Sequence, residues 1–172
     1  HSVLSMHAFG LEETGDYAAA ERQGRLANEI EPRDCCARHA VAHVLEMQGR
    51  QRDGIAWMRG SEADWSKESF LAVHNWWHLA LYHLDLGEVE SVLKLYDGPI
   101  FGQGSTVALE VLDASAMLWR LQLRGIDVGD RWQRVSDCWD AIGPVTGYAF
   151  NDMHVMMARV SLGDSAGAAA IL

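Results

Sequence analysis

Apolar residues recur along this chain at intervals of three and four positions. Examples are Val3, Met6 and Phe9 near the start, and Leu79, Tyr82 and Leu86 in the middle. This interval is the period of an α-helix, and the strict alternation of apolar and polar residues that indicates a β-strand is almost absent. The pattern therefore predicts helices throughout the chain and no sheet.

Five glycines interrupt the helical pattern at regular distances: Gly15, Gly49, Gly87, Gly125 and Gly163, which are 34, 38, 38 and 38 residues apart. Each follows an apolar run and precedes a shorter one, where a left-handed glycine that ends a helix is expected. Helix pairs that recur with this period are typical of a solenoid. We therefore predict one helical-repeat domain over residues 1–172, with units at about 1–34, 35–72, 73–110, 111–148 and 149–172.

The first unit carries the clearest repeat motif, and the third unit repeats part of it. The matching residues are Gly15, Asp16, Tyr17, Ala20, Ala27 and Pro32, and then Trp76, Leu79 and Ala80. This arrangement of a turn, small residues and a closing proline resembles the tetratricopeptide repeat. The resemblance implies an all-α fold, a right-handed α-α superhelix of about five antiparallel helix pairs.

Four further stretches are distinctive when taken together, because ordinary repeats of this kind do not carry their histidines: HAVAHVLEMQGR, HNWWHLALYHLDLGE, LDASAMLWRL and FNDMHVMMA. Together they resemble the tetratricopeptide repeat protein 38 family over essentially the whole chain. Members of that family are longer, so the resemblance implies that this chain is an internal fragment. It implies a helical-repeat fold and no established reaction.

The resemblance also implies that the first helix of each pair lines a concave groove. In the first unit the groove positions are Ser2, Ser5, Met6, Phe9 and Glu12. Counting from the turn glycines places most histidines and several polar residues at equivalent positions. The predicted ligand-binding groove is lined by His39, His43, Glu46, His74, Trp77, His78, Asp113, Trp119, Asn151, Asp152 and His154.

Two histidine pairs have a spacing that suggests a specific chemistry. His39 and His43 are four residues apart, as are His74 and His78, so each pair lies on one face of its helix. Two such pairs facing each other would present four imidazole nitrogens to a divalent metal such as zinc. HAVAH lacks the glutamate of the HExxH motif, so the pattern does not indicate a metalloprotease.

Three interpretations of these histidines remain open at the level of sequence. They could form an internal hydrogen-bond network with Asp113 and Asp152, bind a ligand without metal, or bind a metal. If the pairs form a site, His74 or His78 should come within reach of His39 or His43. His83 and His7 are expected to be core residues with hydrogen-bond partners. Trp76 is also expected to lie in the core.

Composition excludes some classes of partner. The formal net charge is −10, with 24 acidic residues and no cluster of Lys or Arg, which argues against nucleic acid. No apolar stretch is long enough to predict a membrane span. Cys35, Cys36 and Cys138 are an odd number without a CxxC motif, so we expect no disulfides and a reducing, cytoplasmic location.

The function that these patterns favour is a binding module whose His-, Trp- and Asp-rich groove holds a peptide or a small molecule. The alternative is a metal-dependent hydrolase that uses the pairs His39/His43 and His74/His78, with Glu46 nearby. Sequence leaves the choice between enzyme and binding module open, along with the oligomeric state.

Overall fold

The computed structural model describes residues 1–67, 69–143 and 148–172, and every regular element in these ranges is helical. The elements are α1 (Ser2–Glu13), α2 (Tyr17–Ile30), α3 (Cys35–Met47), α4 (Gln51–Arg59), α5 (Glu62–Trp65), α6 (Ala72–Asp85), α7 (Val89–Leu95), a kinked π-helical turn (Tyr96–Ile100), α8 (Ala108–Leu123), α9 (Arg131–Ile142), α10 (Ala149–Ser161) and α11 (Ser165–Ala169). The described ranges contain no β-strand, so the all-α prediction is confirmed.

A helix ends two residues before each of the five turn glycines, close to the predicted position. All five have positive φ, between +67° and +82°, a conformation that residues with a Cβ rarely adopt. At Gly87, the glycine N–H donates to the carbonyl of Leu84 at 3.0 Å, and Glu88 N–H donates to the carbonyl of His83 at 2.9 Å. This pair of bonds is the Schellman motif, which satisfies the last carbonyls of a helix.

The chain divides into two compact units, His1–Leu95 and Tyr96–Leu172. In the first unit α3 packs against α1 and α6, and in the second unit α8 packs against α10. Helices that precede a turn glycine therefore pack on one another within each unit. The proposed repeat boundary at residue 110 falls inside the first turn of α8, and the division into five repeats stays a prediction.

Helix α3 occupies the centre of the first unit because small residues on its surface let its neighbours approach closely. Ala37, Ala40 and Val41 are fully buried. The hydroxyl of Tyr82 on α6 donates a 2.7 Å hydrogen bond to the carbonyl of Ala42 on α3. This buried hydrogen bond sets the position of α6 along the axis of α3. It therefore also sets how far the two histidine pairs are displaced from each other along that axis.

Asp34 joins α3 to α1. One carboxylate oxygen caps α3 by accepting from the N–H groups of Cys36 and Ala37. The other accepts from the Ser5 hydroxyl at 3.0 Å and from the Nδ1–H of His1 at 2.7 Å. A single side chain therefore fixes where α3 begins and which face it turns toward α1.

The described helices include none that is long and apolar enough to cross a membrane. All three cysteines are free thiols, as expected from their number and spacing.

Candidate metal centre

Four histidines of the first unit converge on one point. His39 and His43 project from α3, His74 and His78 project from α6, and one ring nitrogen of each lies within 4.8 Å of those of the other three. The predicted approach of the two pairs is confirmed. It follows from one local rule, the i,i+4 stacking of side chains on each helix, and from one tertiary contact, the packing of α3 on α6.

The imidazole rings of this four-histidine cluster are in mutual contact. The shortest distance between ring centroids is 4.3 Å, for His39 and His43, and the distance from His43 to His78 is 4.6 Å. His74 lies 4.9 Å from His39 and 4.8 Å from His78. The Nε2 atoms of His39 and His43 are 2.9 Å apart, so one of the two donates a hydrogen bond to the other.

Aromatic rings enclose the cluster on two sides. Phe9 of α1 stacks on His39, with centroids 5.5 Å apart and an interplanar angle of 18°. Trp77 stacks on His74 at 5.5 Å and 9°. Trp77 is only 9 % exposed and forms a wall of the cluster, and its predicted contact with a ligand stays a prediction.

Two carboxylates lie beside the cluster. The Nδ1–H of His78 donates to Oε2 of Glu46 at 3.0 Å. Oε2 of Glu12 lies 3.6 Å from Nδ1 of His43, outside hydrogen-bond range. Sequence had offered Asp113 and Asp152 as carboxylate partners, and both belong to the second unit.

Burial lowers the pKa values of two of the four imidazoles, those of His39 and His43. It is the main cause that lowers the pKa of His39 far below its usual range, and the neighbouring histidines His78, His43 and His74 add to the effect. Burial also lowers the pKa of His43, although Glu46 acts in the opposite direction. Metals bind the neutral imidazole, which is the form that a lowered pKa favours for His39 and His43 at neutral pH.

The dimensions of the cluster fit a transition-metal ion. Zinc binds imidazole nitrogen at about 2.0–2.1 Å, which places tetrahedral ligands roughly 3.3 Å from one another. The Nε2 atoms of His39 and His43 lie slightly closer than this, and no pair of ligand atoms is more than 4.8 Å apart. Adjusting the rings by about 1 Å or less would bring all four nitrogens to bonding distance.

The other predicted site residues lie in the second unit and have different surroundings. Asp113 is 1 % exposed and His154 is 4 % exposed, so neither presents its polar atoms to solvent. The Nδ1–H of His154 donates to the carbonyl of Phe150 at 2.7 Å. Trp119, Asn151 and Asp152 are half-buried. Their part in a ligand groove stays a prediction.

The two histidines expected in the core differ in outcome. His83 donates to Oε2 of Glu88 at 2.6 Å, so its predicted hydrogen bond is confirmed. His7 is exposed on α1, so its predicted burial is wrong. Trp76 is 8 % exposed and packs on Trp65 at 4.8 Å, which confirms it as a core residue.

Sequence reasoning named Phe9 and Glu12 only as groove positions implied by the repeat, without joining them to the histidines. A signal was present, because Glu12 and Glu46 each stand three residues before a turn glycine. The equivalence of these two glutamates predicts that if one lies near the cluster, so does the other. No family model matches this chain.

Proposed function

We propose that this chain is a helical-repeat metal-binding protein, in which His39, His43, His74 and His78 bind one divalent transition-metal ion of the zinc class. The observation that carries the proposal is the convergence of four imidazoles from two helices on one point. The ligand that we expected in a repeat groove would then be a metal ion held between neighbouring first helices.

The chemistry of the donors favours a metal over an organic ligand. Imidazole is a borderline donor that suits zinc, copper, nickel and iron, whereas calcium and magnesium prefer oxygen. Imidazoles whose pKa values are lowered by burial keep their lone pairs unprotonated. The rings of Phe9 and Trp77 stack on His39 and His74, so one face of each of these two imidazoles is in contact with an aromatic ring.

The repeat architecture and the resemblance to the tetratricopeptide repeat protein 38 family belong to this proposal. They are supported by the helix–glycine–helix pattern, which recurs at all five turn glycines with the same sign of φ. A single right-handed superhelix of five helix pairs, and a groove that also holds a peptide or small molecule, remain predictions. Trp77 and Asp113 contribute little accessible surface to such a groove.

The test is a metal titration of the full chain, purified without a histidine tag or a nickel column and stripped with a chelator. We expect one equivalent of Co²⁺ or Zn²⁺ to bind, and His39→Ala and His74→Ala to abolish this binding. His83→Ala and His7→Ala are matched controls, because these histidines lie on α6 and α1 outside the four-histidine cluster. Equal binding by all four variants, or none by the unmodified chain, would refute the proposal.

A second candidate, a metal-dependent hydrolase, is favoured by one observation. The rings of His39, His43 and His74 are each partly exposed, so water and a small substrate could reach the ligands from that side. Bound zinc lowers the pKa of a coordinated water to about 7. Hydrolysis of an activated ester by the zinc-loaded chain, lost in His39→Ala, would support this candidate, and an inactive zinc-loaded chain would rule it out for that substrate class.

A further inference from the structure

The two carboxylates beside the four-histidine cluster have related positions. Glu46 of α3 accepts a hydrogen bond from His78 of α6, and Glu12 of α1 lies 3.6 Å from His43 of α3. The helices α1, α3 and α6 each end before a turn glycine. In both cases the carboxylate comes from the member of this series that precedes the helix of its histidine. We propose that Glu12 and Glu46 are positioning residues of the metal centre, each accepting the Nδ1–H of one histidine ligand. This inference rests on the proposed function and deepens it.

The contact between Glu46 and His78 already has the required geometry. A carboxylate oxygen only accepts, so the 3.0 Å contact places the proton on Nδ1 of His78. In the neutral ring, Nε2 then carries the lone pair. His78 is 2 % exposed and its ring is held by its neighbours, so Glu46 fixes both the tautomer and the orientation of this ligand.

Glu12 also faces the Nδ1 atom of a histidine, but the distance is too long for a hydrogen bond. Its side chain is 6 % exposed, and Oε2 makes no hydrogen bond within the part of the chain that the structure describes. A buried acceptor without a donor is costly. Nδ1 of His43 lies 3.6 Å from this oxygen, and moving it a few tenths of an ångström closer would satisfy both groups.

Binding of a metal ion by His39 and His43 would explain why the His43 ring moves toward Glu12. The 2.9 Å contact between the Nε2 atoms of His39 and His43 requires a proton on one of them. If both bind metal through Nε2, each neutral ring carries its proton on Nδ1 instead, with no change in charge. The Nδ1–H of His43 then points at Glu12, and opening the Nε2 pair toward roughly 3.3 Å displaces the ring from His39.

A second cation bound by Glu12, Glu13 and His43 is the competing interpretation, since their ligand atoms also lie within 4.8 Å of one another. It requires His43 to bind one ion through each nitrogen, which makes its ring an imidazolate anion. Glu13 is exposed and has water as an alternative partner. A positioning role for Glu12 needs no additional charge and satisfies the buried oxygen directly.

The experiment is a Co²⁺ titration of the full chain followed by visible absorption, comparing Glu12→Gln and Glu46→Gln with the unmodified chain. Glu13→Gln is the matched control, because it removes the adjacent, exposed carboxylate. We expect Glu12→Gln and Glu46→Gln to weaken binding by roughly 10- to 100-fold and to shift the Co²⁺ absorption bands. Glu13→Gln should stay within about twofold of the unmodified chain.

The outcomes are distinguishable from one another. Failure of the unmodified chain to bind Co²⁺ refutes the metal centre itself. Normal binding with unchanged affinity and spectrum in Glu12→Gln refutes the positioning role alone. Two equivalents of Co²⁺, with Glu13→Gln as damaging as Glu12→Gln, would establish the second cation instead. Far-UV circular dichroism checks folding, and Glu12→Met or Glu46→Met, which removes the acceptor oxygen as well as the charge, replaces a Gln variant at the same position that does not fold.

Discussion

Trp76 and His78 stand two positions apart on α6 and face different surroundings. Two positions on a helix correspond to about 200°, so neighbouring residues of this spacing point in nearly opposite directions. Trp76 packs on Trp65 in the core, while His78 lies in the four-histidine cluster beside Glu46. At the scale of single residues, the angle between positions on one helix places Trp76 in the core and His78 in the four-histidine cluster.

The difference predicts unequal losses of stability. Trp76→Ala should lower the free energy of unfolding by about 3–5 kcal/mol, because it leaves a cavity beside Trp65. His74→Ala, at a half-buried ligand position, should cost about 1–2 kcal/mol. Urea denaturation followed by circular dichroism, with a chelator present, measures both. Equal losses would show that the cluster is ordinary core.

The lowered pKa of His154, outside the four-histidine cluster, predicts that the stability of the fold depends on pH. Burial is the main cause that lowers its pKa below the usual 6.5, against opposing effects of the Phe150 carbonyl and Asp113. Because the folded pKa is lowered, His154 binds a proton less readily in the folded state than in the unfolded state. The unfolded chain therefore gains protons first as the pH falls through 6.5, and stability decreases below that value.

The comparison of the unmodified chain with His154→Gln isolates this effect. Urea midpoints measured from pH 7.5 to pH 5 should fall less steeply in His154→Gln, while the other histidines contribute equally to both. Identical slopes would contradict the lowered pKa.

At the scale of elements, glycines have two different uses in these helices. Gly87 has positive φ at a helix end, whereas Gly54 is a helical residue of α4 that faces Tyr82. A Cβ at Gly54 would lie 2.3 Å from the Tyr82 ring, so glycine there permits α4 to approach α6. Tyr82 in turn bonds to α3, so this contact supports the site indirectly.

Gly10 and Gly54 allow a matched test of that packing. Gly10→Ala adds a Cβ with nothing within 4 Å in an exposed part of α1, so it should stabilise by about 0.5–1 kcal/mol. Gly54→Ala forces the Tyr82 ring to move and should destabilise by about 1–3 kcal/mol. Thermal denaturation of both variants measures the contrast. Changes of the same sign would contradict the assigned contact.

Gly87 tests the helix end separately. Gly87→Val places a β-branched residue at φ +75° with no neighbouring atom within 4 Å, so the loss comes from backbone strain alone. We expect destabilisation of about 1 kcal/mol or more. An unchanged melting temperature would show that the turn can adopt another conformation.

At the scale of the whole molecule, the proposed metal centre joins helices that are far apart along the chain. Its ligands come from α3 and α6, and its proposed positioning residues come from α1 and α3. An ion that binds only the folded state stabilises it by mass action. Metal binding is therefore expected to be a property of the folded first unit, His1–Leu95, as a whole.

Zinc at 100 times its dissociation constant should stabilise that unit by about 2.7 kcal/mol and raise its melting temperature by roughly 10 °C. Calorimetry of the chelator-treated full chain, with and without Zn²⁺, measures the shift. Mg²⁺ is the control ion, because it prefers oxygen ligands. An equal shift in His39→Ala would place the zinc elsewhere.

The sequence alone determined features that depend on neighbours along the chain. Helical period, positive-φ glycines and the i,i+4 histidine pairs follow from the geometry of one helix, and all are present in the structure. Tertiary structure decided how each helix is rotated and how closely it packs. That rotation buried Trp77, exposed His7 and brought Glu12 to His43, because it depends on side chains from several helices together.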